Sequence, residues 1–241
     1  MDPELEGLLD RADELLSDLE DEFRNCLQKQ NVTVRAKNLA DEVLGKLRMA
    51  LDHTMSRAWD KYIAPNLSEG ERKRARVYFP IARDFDSFRS TLGRGDMADL
   101  EKVHKDLYDF LLNQQPFSSE NNQWLDLLAA IAAQGKHVRL TPQKRTQTRL
   151  MKVSRPNVGS VSWDPSSVKF GPGVSLMDAP VDPGTQRIVP TPGVTEQVEI
   201  WVSFVFDGYG VNALAFGKEA CQKTRALIEE MVNVIHVEDV T

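Results

Sequence analysis

The chain has 241 residues, 41% hydrophobic and 7% aromatic, with two cysteines and a formal net charge of −6. That length buries a stable core without disulfides or metals, as one large domain or two small ones. Cys26 and Cys221 cannot form a thiolate metal cluster and suggest reduced, packed thiols. No basic segment leads into an apolar one at the start, and no run approaches the roughly 18 apolar residues of a spanning helix, so a cytoplasmic protein away from the membrane is expected.

Leu5, Leu8, Leu9, Ala12, Leu15, Leu16, Leu19, Phe23, Cys26 and Leu27 recur at three- and four-residue steps and predict a long amphipathic helix that ends at Asn31. A second stripe runs from Leu39 through Leu44, Leu47, Leu51 and Met55 to Tyr62, and Pro65 closes it. Joined by a short connection, the two are expected to pack antiparallel, because neither hides its stripe alone. A polar basic loop with Arg72, Lys73, Arg74 and Arg76 follows, then a short extended piece, Tyr78-Phe79-Pro80-Ile81. Shorter helices are expected at 84–92 and 97–113. Trp124 to Ala133 is apolar nearly all round and predicts a central buried helix capped by Gly135.

After Gly135 the pattern changes. Residues 156–193 hold seven prolines, which favours short strands and turns, and Gly171-Pro172-Gly173 reads as a turn rather than a phosphate cradle. Val198, Ile200, Val202, Phe204 and Phe206 alternate with Glu199, Trp201 and Ser203 as a strand with one apolar face. Phe216 to Ile235 predicts a final amphipathic helix. The expected class is α+β, an antiparallel helical bundle with a small antiparallel β-sheet added and a C-terminal helix packing back. Residues 1–137 would form the bundle, 138–210 the strand-rich part and 211–241 the returning helix, as one compact unit; two domains divided near residue 138 are the alternative.

The net charge conceals a segregated pattern. Residues 1–22 carry ten acids against Arg11, whereas no acid lies between Asp126 and Asp164, a stretch holding Lys136, Arg139, Lys144, Arg145, Arg149, Lys152 and Arg155. Local fields therefore govern which partners approach. The acidic arm reads as a solvated helix face, or as the group that neutralises one of the basic runs. A protein partner on the acidic first helix is a candidate, and so is RNA along the basic segment.

Three ordered blocks stand out: Leu47-Arg48-Met49-Ala50-Leu51-Asp52-His53, Phe79-Pro80-Ile81, and Lys136-His137-Val138-Arg139. Together they resemble a family of uncharacterised bacterial proteins with Leu-Arg-x-Ala-Leu-Asp-His, Phe-Pro-Ile and Asp-x-x-Lys-His-Arg motifs. An alanine stands here where that family's acid is usual, three residues before Lys136, and Val138 separates His137 from Arg139. The helical part of such proteins resembles the HEPN class of bundles, many of which dimerise and some of which cut RNA with an Arg followed by four to six residues and a His.

That resemblance implies Arg48 and His53 as catalytic residues of a metal-independent ribonuclease, with Lys136, His137, Arg139, Lys144 and Arg145 binding phosphate and a homodimer completing the site. His53 would move the 2′-hydroxyl proton and Arg48 would stabilise the phosphate. No metal or cofactor is expected. The spacing alone is weak, since 17 arginines and four histidines give roughly 0.8 such pairs by chance. Five residues along a helix also turn the two side chains about 140° apart with about 7.5 Å of rise. Met49 directly after Arg48 counts against catalysis, because active members carry a polar residue there.

The alternative is a structural network in a non-catalytic interaction module. Arg48 and Asp52 would pair on one helix face, while His53 or Lys136 ties the second helix to the end of the buried one. His104 and His236 read as solvated or capping residues. Whether the chain is an enzyme stays open at this level.

Overall fold

A computed structural model describes residues 2–29, 31–135, 143–165 and 167–236. It is an α+β protein whose contacts divide it into two units, Met1–Gln143 with Phe206–Thr241, and Lys144–Val205.

The first unit is a helical bundle. The stripe expected from Leu5 to Cys26 forms α1 (Pro3–Lys29), with Leu5, Leu9, Ala12, Leu15, Leu19, Phe23 and Cys26 buried and Leu8 and Leu16 half-buried. It packs along α2 (Val34–Tyr62), which buries the second stripe from Leu39 to Trp59. The two run antiparallel, since Asp2 meets His53 at one end and Cys26 meets Thr33 at the other.

The turn between them is closed by polar groups. Thr33 caps α2 by accepting from Ala36 N at 3.1 Å and donates its hydroxyl proton to Glu22 at 2.6 Å. A capping hydroxyl satisfies an otherwise orphaned helix amide. Glu22 is consequently buried, a departure from the solvated acidic face read from sequence.

The stretch read as a basic loop contains a short helix, α3 (Glu69–Arg74), started by a Ser68/Glu71 capping box. Asp84 caps α4 (Phe85–Arg94). The single helix expected over 97–113 is broken at His104 into α5 (Leu100–Val103) and α6 (Lys105–Asn113). His104 is buried rather than solvated, accepts Leu107 N at Nδ1 (3.2 Å) and meets Tyr62 edge-on at 4.5 Å. Its capping role matches the expectation.

In α7 (Gln123–Gly135), Trp124, Leu125, Leu128, Ile131 and Ala132 are buried, while Leu127, Ala129 and Ala130 are half-buried. The helix is therefore one-sided rather than enclosed all round. The returning helix α8 (Ala213–His236) packs against α1, α2 and α6. No helix among the described residues is long and apolar enough to cross a membrane.

The second unit contains two sheet portions. Strands β1 (Gln143–Arg155), β2 (Gly159–Trp163) and β6 (Thr195–Phe206) have the order β2-β1-β6; β1 and β2 are antiparallel, with Val153 opposite Val161 and Arg155 opposite Gly159. Strands β3 (Ser175–Leu176), β4 (Ala179–Asp182) and β5 (Arg187–Ile188) form an antiparallel meander. Met151, Val153, Trp163, Ala179, Val181 and Ile188 make this unit's own core, and Phe170 meets Trp163 edge-on.

The β3–β4 turn places Met177 and Asp178 at φ 54 and 67, the left-handed pair that two-residue hairpins need and that Asn-Gly usually supplies. Arg155 holds it, donating to the Met177 carbonyl and pairing with Asp178. The short strand β7 (Val211–Asn212) leads from the Asp207–Gly210 turn into α8.

Candidate functional site

Arg48 and Asp52 are one turn apart on α2, beside the buried Leu47, Ala50 and Leu51. Their side chains are 15% and 20% exposed and joined twice, Nη2 to Oδ1 at 2.8 Å and Nε to Oδ2 at 3.3 Å. The expected pair is therefore present. It also grips the Phe-Pro-Ile block: Phe79 donates its N–H to Asp52 Oδ1 at 2.9 Å, and its carbonyl accepts from Arg48 Nη2 at 2.8 Å.

The physical reason is the burial of an extended segment outside any regular sheet. Phe79 is 1% exposed, Pro80 is buried and Ala82 is 5% exposed, so their backbone groups need partners away from water. Arg48 and Asp52 serve Phe79, and Gln115 serves the next groups. Its Nε2 donates to the Pro80 carbonyl at 3.0 Å and to Leu111 O at 2.7 Å, while its Oε1 accepts Ala82 N at 2.9 Å. Three side chains thus replace a neighbouring strand. Gln115, fully buried, is the member missed in the sequence, where a glutamine beyond a helix end carries no periodic or spacing signal.

A cleft of about 330 Å³ adjoins this clamp, lined by Arg48, Asp52, Tyr78, Thr91, Ala129 and Ala132. Arg48 enters it with its charge opposed by the Asp52 carboxylate, which weakens its field toward an added anion.

His53, the other predicted catalytic residue, faces different groups. Its Nε2 lies 3.1 Å from Asp2 Oδ2 and 3.9 Å from Glu4 Oε2, and Arg57 Nη1 reaches the same Asp2 oxygen at 3.1 Å. His53 therefore ties α2 to the start of α1, and the alternative tie through Lys136 to the end of α7 lies outside the described residues. The hydrogen bond from His53, aided by Arg57, holds the Asp2 carboxyl below its ordinary range.

Asp2 and Arg57 line a second cavity of about 820 Å³ with Leu5, Thr54, Lys61 and Ile235. Neither cavity's lining includes both Arg48 and His53. Lys61 and Tyr62 donate to the Ile235 carbonyl at 3.0 and 2.5 Å, placing a cation at the negative end of α8.

Asp2, Glu4 and His53 bring their ligand atoms within 4.8 Å of one another, a composition able to hold a transition metal. The Arg57 guanidinium already occupies the shared Asp2 oxygen, so an added cation would meet a resident one. The geometry fits an ion-pair network.

Lys136, His137 and Arg139 lie outside the described residues. Lys144 and Arg145 lie near the start of β1, and their side chains are likewise outside that description. The acidic arm spends its charge on the helices beside it: Asp10 and Asp13 pair with Arg225, Glu20 with Lys218, and Arg35 reaches toward Asp18 and Glu22. In the other basic run, Lys73 pairs with Glu69 and Arg72 and Arg74 donate to Leu67 and Gly70 carbonyls, so its described partners are local.

Both cysteines are buried thiols, and burial pushes Cys221 up to about 12. The aromatic rings of Phe204 and Trp163 are buried and so not presented for stacking on a base. No family model, curated protein or solved structure matches the chain.

Proposed function

We propose that this protein is a non-catalytic interaction module in which Arg48, Asp52 and His53 serve the fold. The supporting observation is the double engagement of Phe79: the Arg48–Asp52 pair is committed to both polar atoms of one buried backbone residue. His53 is separately committed to Asp2 at the start of α1. A general acid–base pair for phosphodiester cleavage needs both groups around one reacting phosphate.

The second reading is an RNA-binding or metal-independent RNA-cleaving protein resembling the HEPN class. It is favoured by Arg48 lining an open cleft beside the exposed Tyr78.

Incubation of the purified chain with total cellular RNA in a chelator separates the two. The module leaves the RNA intact, and Arg48→Ala lowers the melting temperature. Cleavage that disappears in His53→Ala, with melting unchanged, overturns the module reading.

A further inference from the structure

We infer that strand β2 is a self-association edge, through which two copies of this chain pair antiparallel about Val161. This rests on the reading of the chain as an interaction module and names its partner as a second copy.

Strand β2 ends the β2-β1-β6 order, and Gly159, Ser160, Val161 and Ser162 are all exposed. A strand at that place directs alternate N–H and C=O groups away from its neighbour, where they template another strand. Natural edges are commonly guarded by charge, proline or a bulge. Gly159-Ser160-Val161-Ser162-Trp163 contains no charge and no proline, and its five-residue register with β1 runs unbroken from Gly159 to Trp163. The edges of the other sheet, β3 and β5, are two residues long and offer little to pair with.

The residues favour a copy of the same strand over a foreign peptide. Ser160-Val161-Ser162 is a palindrome, so a two-fold axis through Val161 sets Val161 against its copy and each Ser160 against a Ser162. No like charges meet, as an isologous contact requires. Val161 shares the sheet face of the buried Val153 and Trp163, yet remains 38% exposed. An added strand covers that open flank of the core.

The basic β1 strand does not oppose the pairing. Two β1 strands would be separated by three strand spacings of about 4.8 Å, or roughly 14 Å, beyond the Debye length of about 10 Å at 0.1 M salt. A five-residue edge covers less than the roughly 1,200 Å² at the lower bound of a standard stable interface, so the dimer is concentration-dependent.

The test uses the 241-residue chain. Sedimentation over a 100-fold concentration range is expected to show a monomer–dimer equilibrium, weakened at least tenfold by Val161→Lys, which places two cations across the axis. Val161→Cys is expected to cross-link to its copy through residue 161 with a short bismaleimide, whereas Val189→Cys, also exposed and in the same unit, is not. A monomer throughout, or a dimer that Val161→Lys leaves intact and that Val161→Cys does not capture, overturns the assignment. Because these readouts report on β2, they fail independently of the RNA and melting tests of the Arg48 clamp.

Discussion

Replacing Arg48 with alanine removes the donor to the buried Phe79 carbonyl and leaves Asp52 without its bidentate cation. A hydrogen bond to a charged group contributes about 1.5–3 kcal/mol, while breaking a well-buried ion pair costs about 3–5 kcal/mol. At 15% and 20% exposure some solvent screening remains, so the expected cost is about 2–3 kcal/mol. In a unit of about 180 residues each kcal/mol moves the midpoint by about 2–4 °C, giving a fall of roughly 4–12 °C.

Differential scanning fluorimetry and urea titration of Arg48→Ala, Asp52→Ala and the double variant measure this cost. The double variant should be less destabilised than the sum, by about 1 kcal/mol or more, because either single change strands its partner. Asp52→Asn should cost less than Asp52→Ala, since its amide oxygen can still accept from Phe79 N. Single variants that melt within 1 °C of the parent and add without coupling would refute the clamp.

Gln115→Leu should destabilise by about 3 kcal/mol in the same assays, because the Ala82 N–H and Pro80 carbonyl are left buried without the partner they now share. Asp2 is held below its ordinary value of 3.8, so its contribution is present above pH 3.8 and is lost as pH falls through the lower folded value. The melting difference between the parent and Asp2→Asn should accordingly shrink in acid; a constant difference from pH 6 to pH 2 would refute the link. With Cys221 raised from 9.0 to about 12, its native thiolate fraction at pH 8 is about a thousandfold lower, and it should react with a disulfide reagent only after unfolding. That buried thiol contributes stability below pH 9 that is lost progressively as pH rises toward 12, which alkaline melting can check.

The elements that followed from local pattern share a strong periodic cause. Leu5 to Cys26 and Leu39 to Trp59 repeat at helical spacing for many turns, so only burial of their stripes satisfies them, and both are buried. Phe204 and Phe206 are buried as an alternating strand requires, but Val198 on the same side is 48% exposed and Val205 on the opposite side is buried, so the one-faced pattern holds only in part. The β3–β4 hairpin gave no such signal, because Met177-Asp178 adopts left-handed backbone without the usual asparagine and glycine, steadied by Arg155 from another strand. The break at His104 was likewise hidden: the apolar spacing continues across it, and the reason for the break is an imidazole that accepts Leu107 N.

For the candidate site, sequence alone established that Arg48 and Asp52 share a helix face, since their four-residue separation on a strongly amphipathic helix permits little else. It also set the acidic arm apart from the basic segment. Tertiary packing settled where those groups spend their polarity. The Phe79–Ala82 segment is buried without a neighbouring strand, and its backbone recruits Arg48, Asp52 and Gln115 from positions 27 to 35 residues away. His53 is drawn instead to Asp2 by the antiparallel return of α1, a contact across 51 residues that no local spacing encodes. Arg48 with Asp52 and His53 with Asp2 thus form two separate contacts, the first because unpaired buried backbone groups cost more than the side chains needed to satisfy them.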